Sequence, residues 1–280
     1  MDQNLTLGYS TCPNDTFIFH ALAHGRIDLK GLGYDITLAD VESLNQSAAS
    51  GVLDISKLSF AAIGHLLDTY GLLRSGAALG RGCGPLLVAR PGLDLRSLGN
   101  FPVAVPGAWT TAALLLTLFS SRPVQTVPMT FDRIMPAIQS GAMDMGVIIH
   151  EGRFTYEAYG LNCLMDLGQW WETETGLPIP LGGIAVRRCL PSDIIQKIEE
   201  ALRASVCYAW EHPGEADDYI ALHAQEMASE VISSHIALYV NSFTRDLGEA
   251  GTLAIETLFQ KARERGLLPE SAAPLFAGGH

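Results

Sequence analysis

Short apolar runs alternate along the chain with segments whose apolar residues recur about every 3.6 positions. The runs predict buried strands and the periodic segments predict helices, a combination typical of an α/β fold. The predicted strands cover residues 5–10, 34–38, 52–60, 84–90, 101–105, 124–127, 145–149 and 181–187. The predicted helices cover about residues 17–22, 41–49, 112–119, 131–139, 191–210, 224–241 and 248–265.

The order strand, helix, strand, helix, strand occurs twice. Residues 50–54 (SGVLD) match residues 140–144 (SGAMD) at the same point of each copy, which indicates a duplicated architecture. The strands at 84–90 and 181–187 flank the second copy, and each has Gly before an apolar run and Arg after it. We interpret them as two crossing connections between lobes. The predicted first lobe is 1–88 plus 188–280, and the inserted second lobe is 89–187.

Candidate chemistry lies where predicted strands end, because ligands of open α/β sheets bind at the carboxyl ends of the strands. His150 directly follows the apolar run 145–149 and could take a proton near neutral pH. Lys57, Leu58 and Ser59 end the corresponding strand of the first copy, where a lysine could balance a carboxylate. A hydrogen-bonded structural histidine and a solvated lysine are the alternative interpretations.

Two loops that lead into predicted helices add further candidate ligand contacts: Ser10, Asn14, Thr16, Thr110 and Thr111. The free amides and the dipole at a helix start favour a carboxylate, so Thr110 and Thr111 mark a possible anion site. Their hydroxyls would serve equally as N-caps, and Asn14 or Asp15 would cap the first helix.

Other reactive residue types have weaker support. Cys12 has no base at a spacing that would activate it, and the tryptophans at 109, 170 and 171 could stack on a ligand or belong to the core. Six other histidines do not end a strand, and we interpret them as structural: His20, His24, His65, His212, His223 and His235.

Composition narrows the class of partner. The net charge is −12 over 280 residues, which argues against nucleic acid and against anionic membranes. A small anionic substrate needs only a local positive site. The longest apolar run, 112–119, is too short to cross a bilayer. The five cysteines lack metal-ligand spacing, and the N-terminus lacks the pattern of a secretory signal, so we expect a reduced, cytoplasmic protein. The oligomeric state stays open.

Four motifs carry a family resemblance: residues 8–17 (GYSTCPNDTF), 57–59 (KLS), 107–112 (GAWTTA) and 148–152 (IIHEG). They resemble the 1,4-dihydroxy-6-naphthoate synthases of the futalosine route to menaquinone, over nearly the whole chain. The two-lobed pattern is similar to type II periplasmic solute-binding proteins, an α/β clamshell. One departure is Thr11, where proline is more usual.

The resemblance implies that a cyclic dehypoxanthine futalosine is cleaved to the dihydroxynaphthoate with loss of a sugar-derived fragment, without a metal or organic cofactor. It also implies that His150 is the proton acceptor and that residues 57–59 and 110–111 contact the substrate. Two alternatives remain. One is a cytosolic protein that binds or senses a small anion without turnover, and the other is a sister enzyme such as chorismate dehydratase. The loop at 12–17 weighs against the dehydratase.

Overall fold

A computed structural model describes residues 3–224 and 228–278, which form two α/β lobes. The strands are β1 (Gln3–Tyr9), β2 (Leu32–Leu38), β3 (Ile55–Ser59), β4 (Tyr70–Leu72), β5 (Ala78–Gly80), β6 (Leu86–Ala89), β7 (Val103–Val105), β8 (Thr126–Pro128), β9 (Met145–Ile148), β10 (Asn162–Asp166) and β11 (Ile179–Arg187). The α-helices are α1 (Pro13–Ala23), α2 (Val41–Ala49), α3 (Phe60–Leu66), α4 (Thr111–Phe119), α5 (Phe131–Gln139), α6 (Gly152–Thr155), α7 (Leu167–Thr175), α8 (Ser192–Glu211), α9 (Asp217–His223), α10 (Ser229–Tyr239), α11 (Ser242–Arg245) and α12 (Gly248–Glu264).

Each lobe is built around one mixed sheet. The first sheet has the order β2-β1-β3-β11-β4, with β5 also paired to β11, and the second has the order β10-β6-β9-β7-β8. β1 runs parallel to β2 and β3, just as β7 runs parallel to β8 and β9. In the first sheet β3 also pairs with the antiparallel strand β11, and in the second sheet β9 also pairs with the antiparallel strand β6. The duplicated architecture predicted from the sequence is therefore confirmed.

The matched pentapeptides, residues 50–54 and 140–144, form the same local structure in both lobes. Gly51 and Gly141 follow their helices with φ of 69° and 79°, a left-handed conformation that glycine adopts without strain. Asp54 and Asp144 directly precede β3 and β9, and they form ion pairs with the arginine that ends β11 and the arginine that follows β6, at 4.0 Å and 2.6 Å respectively. The two arginines that flank the second copy therefore pair with aspartates at equivalent strand starts.

The chain passes between the lobes before β6 and before β11. Neither strand is shared between the sheets, since β6 pairs only within the second sheet and β11 only within the first. The connections are residues 81–85 and the segment 167–178, which contains α7. The domain boundaries predicted at 88/89 and 187/188 stay predictions.

The burial pattern explains why these elements form. β9 is buried on both faces, as its continuous apolar run predicts. α4 is apolar on nearly every side because it packs against α3, α7, α12, β9 and β11 at once. α8 and α10 pack on α1 in the first lobe, whereas α12 lies against α3, α4 and β11.

Some predictions about local structure were wrong or incomplete. Cys12 occupies the N-cap of α1, Pro13 is the first helical residue, and Asn14 and Asp15 lie inside the first turn. The helix predicted over 224–241 spans Ser229–Tyr239, and its residues 225–227 lie outside the described residues. Across 3–224 and 228–278, no helix has the length and apolar character needed to cross a membrane.

Candidate active site

A cavity opens between the lobes where β1, β3, β7 and β9 end. Its empty volume, counting the open mouth, is about 640 Å³. Its polar wall contains Ser10, Asn14, Asp15, Lys57, Ser59, Thr110, Thr111 and His150, and Leu58 is among its apolar residues. The structure thus brings together the predicted site residues except Thr16. The Thr16 side chain is fully buried and donates its hydroxyl to the Cys12 carbonyl oxygen at 3.1 Å.

His150 stands at the end of β9 with a backbone φ of 56°, a left-handed conformation that is unusual for a residue with a side chain. Its ring contacts Phe131 edge to face at 5.2 Å between centroids. Burial lowers the pKa of His150 to about 4, with a smaller opposing effect from Asp15 and a lowering effect from Lys57. The imidazole is therefore neutral at pH 7 and keeps a lone pair that can accept a proton.

Asp15 and Lys57 form a buried ion pair in the cavity wall. Lys57 Nζ lies 2.5 Å from Asp15 Oδ1, and the two residues are only 6% and 1% exposed. Asp15 also accepts hydrogen bonds from Ser10 Oγ at 2.7 Å and from Asn14 Nδ2 at 2.8 Å. The lysine charge is thus balanced inside the protein rather than left free for a substrate carboxylate. Direct contact between Lys57 and a substrate stays a prediction.

The hydroxyls of Thr110 and Thr111, at the start of α4, both form hydrogen bonds within the protein. Thr110 is the N-cap, since its Oγ1 accepts from the Ala113 amide at 3.3 Å and donates to the Gly107 carbonyl oxygen at 2.8 Å. Thr111 Oγ1 donates to the Leu181 carbonyl oxygen at 2.6 Å and accepts from the Ala61 amide at 3.3 Å. The first amides of a helix have no intrahelical acceptor, so backbone N–H groups are the donors that α4 offers to an anion.

Ser59 is tied to contacts that bridge the lobes. Its amide donates to Asn45 Oδ1 at 3.1 Å, and Asn45 Nδ2 lies 3.3 Å from Ser59 Oγ and 3.4 Å from the Trp109 carbonyl oxygen. The Trp109 amide in turn donates to the Glu42 carboxylate at 3.2 and 3.3 Å. Glu42 and Asn45 belong to α2 of the first lobe, and Trp109 belongs to the loop after β7 of the second.

Two residues that sequence reasoning missed come from α10. Tyr239 lines the cavity, and His235 lies behind the wall with no solvent exposure. His235 Nε2 is 2.9 Å from Asn14 Oδ1, and its ring is 6.0 Å from His150 and 4.5 Å from Tyr239. No local motif indicates these contacts, because His235 and Asn14 are 221 positions apart.

The other candidate reactive residues lie outside the cavity lining. Burial raises the pKa of the Cys12 thiol well above its ordinary value, so this cysteine stays protonated. Trp109 stacks on His65, Trp170 meets Phe119 edge to face, and Trp171 is a core residue. Within the described residues, no group of three or more His, Cys, Asp and Glu side chains is arranged to hold a metal ion.

Two α/β lobes with a cavity between them are typical of the periplasmic-binding-protein-like fold. A Candida albicans protein described as having the generic periplasmic binding protein fold matches at 16% identity, with a TM-score of 0.69 and coverage of 96% of this chain and 92% of that chain. At this identity the match shows the fold alone. The Archaeoglobus fulgidus protein AF1704 matches at 35% identity, with a TM-score of 0.89 and coverage of 95% and 98%.

Sequence relatives give the particular family. The family model described as "Menaquinone biosynthesis" matches residues 5–264. A Thermus thermophilus protein named 1,4-dihydroxy-6-naphtoate synthase is 51% identical over 97% of this chain and 98% of its own length. A Streptomyces coelicolor protein of the same name is 47% identical over 95% of each chain. The chain therefore belongs to the menaquinone biosynthesis family and is an enzyme of that pathway.

Proposed function

We propose that this protein converts cyclic dehypoxanthine futalosine to 1,4-dihydroxy-6-naphthoate. The observation that carries this proposal is the 51% identity, over nearly the full length of both chains, to the Thermus thermophilus synthase. The synthase names of the relatives also favour an enzyme over a sensor and over the sister dehydratase. We further propose that the protein works in the cytoplasm without a metal or organic cofactor, as a catalyst acting on a small anion.

His150 is the proposed general base. A neutral imidazole removes one proton from the bound substrate, and the electron pair left behind drives cleavage of a carbon–carbon bond as the ring becomes aromatic. The low pKa of His150 supports this role, because the ring is almost entirely in its accepting form at neutral pH. Its place at the cavity wall supports it independently.

The other proposed contacts hold the substrate against this base. The apolar part of the cavity, which includes Leu58, suits a flat ring system. We propose that the substrate carboxylate faces the first amides of α4, next to Thr110 and Thr111, and that Ser10, Asn14, Lys57 and Ser59 complete the polar wall. Thr16, which lies behind the wall, supports the loop rather than the substrate.

The decisive experiment is incubation of the purified protein with the cyclic futalosine derivative, followed by absorbance and mass. We expect naphthoate to accumulate and turnover to survive exhaustive chelation. His150→Asn should lower turnover by about 100-fold or more while substrate still binds. His24→Asn, outside the cavity lining, is the matched control and should keep wild-type turnover. Tight binding of the futalosine derivative without product formation would instead favour the sensor hypothesis.

A further inference from the structure

His235 contacts three residues of the cavity wall from behind. Its Nε2 atom lies 2.9 Å from Asn14 Oδ1, and its ring centroid lies 6.0 Å from that of His150 and 4.5 Å from that of Tyr239. Asn14 belongs to α1 of the first lobe, whereas His150 follows β9 of the second. A fully buried side chain in contact with both lobes constrains how the two halves of the wall are placed.

The hydrogen-bond network assigns the tautomer of His235. Asn14 Nδ2 donates to Asp15 Oδ1 at 2.8 Å, so the oxygen of the Asn14 amide is the atom that faces His235. A carbonyl oxygen can only accept, and His235 Nε2 must therefore carry the hydrogen. Nδ1 then carries the lone pair, and it has no hydrogen-bond partner in residues 3–224 and 228–278.

This hydrogen bond joins His235 to the ion pair in the wall. Asn14 holds Asp15, and Asp15 holds both Lys57 and Ser10. Every residue in this hydrogen-bonded series is at least nine-tenths buried. Hydrogen bonds in such surroundings are stronger than those in water and depend more strictly on geometry. Without the Nε2–H donor of His235, the Asn14 amide is free to turn. The residues that Asn14 holds through Asp15 then lose their fixed orientation.

We propose that His235 is a positioning residue of the active site, with its Nε2–H fixing Asn14 and its ring holding the His150 ring against the substrate. This inference rests on the proposed function, in which His150 removes a proton. A base must lie within about 3 Å of the proton that it removes, and a misplacement of 1 Å can cost about 100-fold in rate. A residue that fixes the position of the His150 ring should therefore affect kcat more than KM.

The test compares two substitutions that differ in the donor. His235→Leu fills the space without an N–H, whereas His235→Gln supplies an amide N–H in about the place of Nε2. We expect His235→Leu to lower kcat by about 10- to 100-fold with KM changed less than about threefold, and His235→Gln to recover most of the loss. His20→Leu and His20→Gln are matched controls, since His20 is a buried histidine outside the cavity lining. Equal effects of the two His235 variants, or a His235→Leu effect no larger than that of His20→Leu, would overturn the proposal.

A second measurement does not depend on turnover. Nitrogen NMR of the wild-type protein labelled in its histidines should show one ring that stays neutral and in the Nε2–H form from pH 5 to 8, and that disappears in His235→Gln. A His235 ring in the Nδ1–H form, or charged at pH 7, would overturn the proposal. Failure of the wild-type protein to form naphthoate would instead overturn the proposed function and leave this NMR result standing.

Discussion

His150 is neutral at pH 7 because the surrounding protein does not solvate an imidazolium ion as water does. Its pKa of about 4 in the folded protein compares with 6.5 for a free imidazole. The fraction of active base should therefore rise with pH through about 4 and stay constant from pH 6 to 8. A rise centred near 6.5, which an unperturbed histidine would give, contradicts this environment. The measurement is kcat/KM against pH, with His150→Asn as the variant that should lose the acidic limb.

The same pKa shift has a consequence for stability. Between pH 6.5 and 4 the unfolded chain binds a proton at His150 that the folded protein does not bind, so folding becomes less favourable as the pH falls. The contribution of this residue is up to about 3 kcal/mol. Urea unfolding at pH 7 and pH 4.5 should therefore show a smaller acid-induced loss of free energy for His150→Asn than for the wild-type protein. Equal losses would place the pKa of His150 near its ordinary value.

The Lys57–Asp15 pair allows a separate test of what holds the wall. Removing one partner leaves an uncompensated buried charge, which typically costs about 3–5 kcal/mol, whereas removing both costs much less. Lys57→Met and Asp15→Asn should therefore each lower the free energy of unfolding by several kcal/mol. The double variant should lose clearly less than the sum of the two. Additive losses in urea unfolding would show that the two charges do not depend on each other.

At the same residue scale, the sequence indicates some parts of the site and hides others. His150 and Thr110 were identifiable because each stands at a strand end or a helix start, and these positions follow from local pattern. The partner of Lys57 lies 42 positions away and the partner of Asn14 lies 221 positions away. Such contacts depend on tertiary packing, which no local periodicity encodes.

Among the elements, α4 shows how a helix can serve the core and the site at once. Its apolar residues are buried between the lobes, while its first turn lines the cavity. The hydroxyl of Thr111 is used inside the protein, where it joins α4 to the Leu181 carbonyl oxygen and the Ala61 amide. The helix start is thus held in place by the residue that the sequence suggested as a ligand contact.

Thr111→Val should therefore affect stability more than substrate affinity. The variant leaves the Leu181 carbonyl oxygen and the Ala61 amide without their partner, at a cost of about 1–3 kcal/mol. Thr111→Ser keeps the hydroxyl and is the matched control, with an expected loss below about 1 kcal/mol. Thr110→Val should cost about 1 kcal/mol through the lost cap. Urea unfolding and ligand titration of the three variants separate the effect on stability from the effect on affinity. A large loss of affinity in Thr111→Val at unchanged stability would instead show that the hydroxyl contacts the substrate.

Sequence reasoning missed several elements, among them α3, β4, β5, β10 and α7. β4 and β5 are three residues long, which is too short for a period of two to be recognised. The start of α1 was misplaced because Asn14 or Asp15 was expected as the cap, whereas the cap is Cys12 and Pro13 is the first helical residue, a position that proline favours. The longer elements, such as α2 and α5, were predicted over their full lengths because their apolar positions repeat clearly.

For the whole molecule, the contacts across the cleft define a closed arrangement. α2 of the first lobe meets the loop after β7 of the second through Glu42, Asn45 and Trp109. Gly107 makes this approach possible, since a Cβ atom there would lie 2.4 Å from a Glu42 carboxylate oxygen. A ligand that contacts both lobes binds this arrangement better than an open one and shifts the population toward it.

Glu42 should therefore control closure without touching the substrate. Glu42→Ala removes the acceptor of the Trp109 amide, and a hydrogen bond to a charged group is typically worth about 1.5–3 kcal/mol. Destabilising the closed state by about 1.5 kcal/mol lowers the apparent substrate affinity by at most about tenfold where closure is needed for binding. Glu42→Gln keeps an acceptor oxygen and should lie between the alanine variant and the wild-type protein. Small-angle scattering should show a larger radius of gyration for ligand-free Glu42→Ala, and saturating product should bring it back to the wild-type value. An unchanged radius of gyration together with unchanged affinity would show that the lobes are held by their other contacts, such as that of Thr111 with Leu181, and that Glu42 only caps the loop.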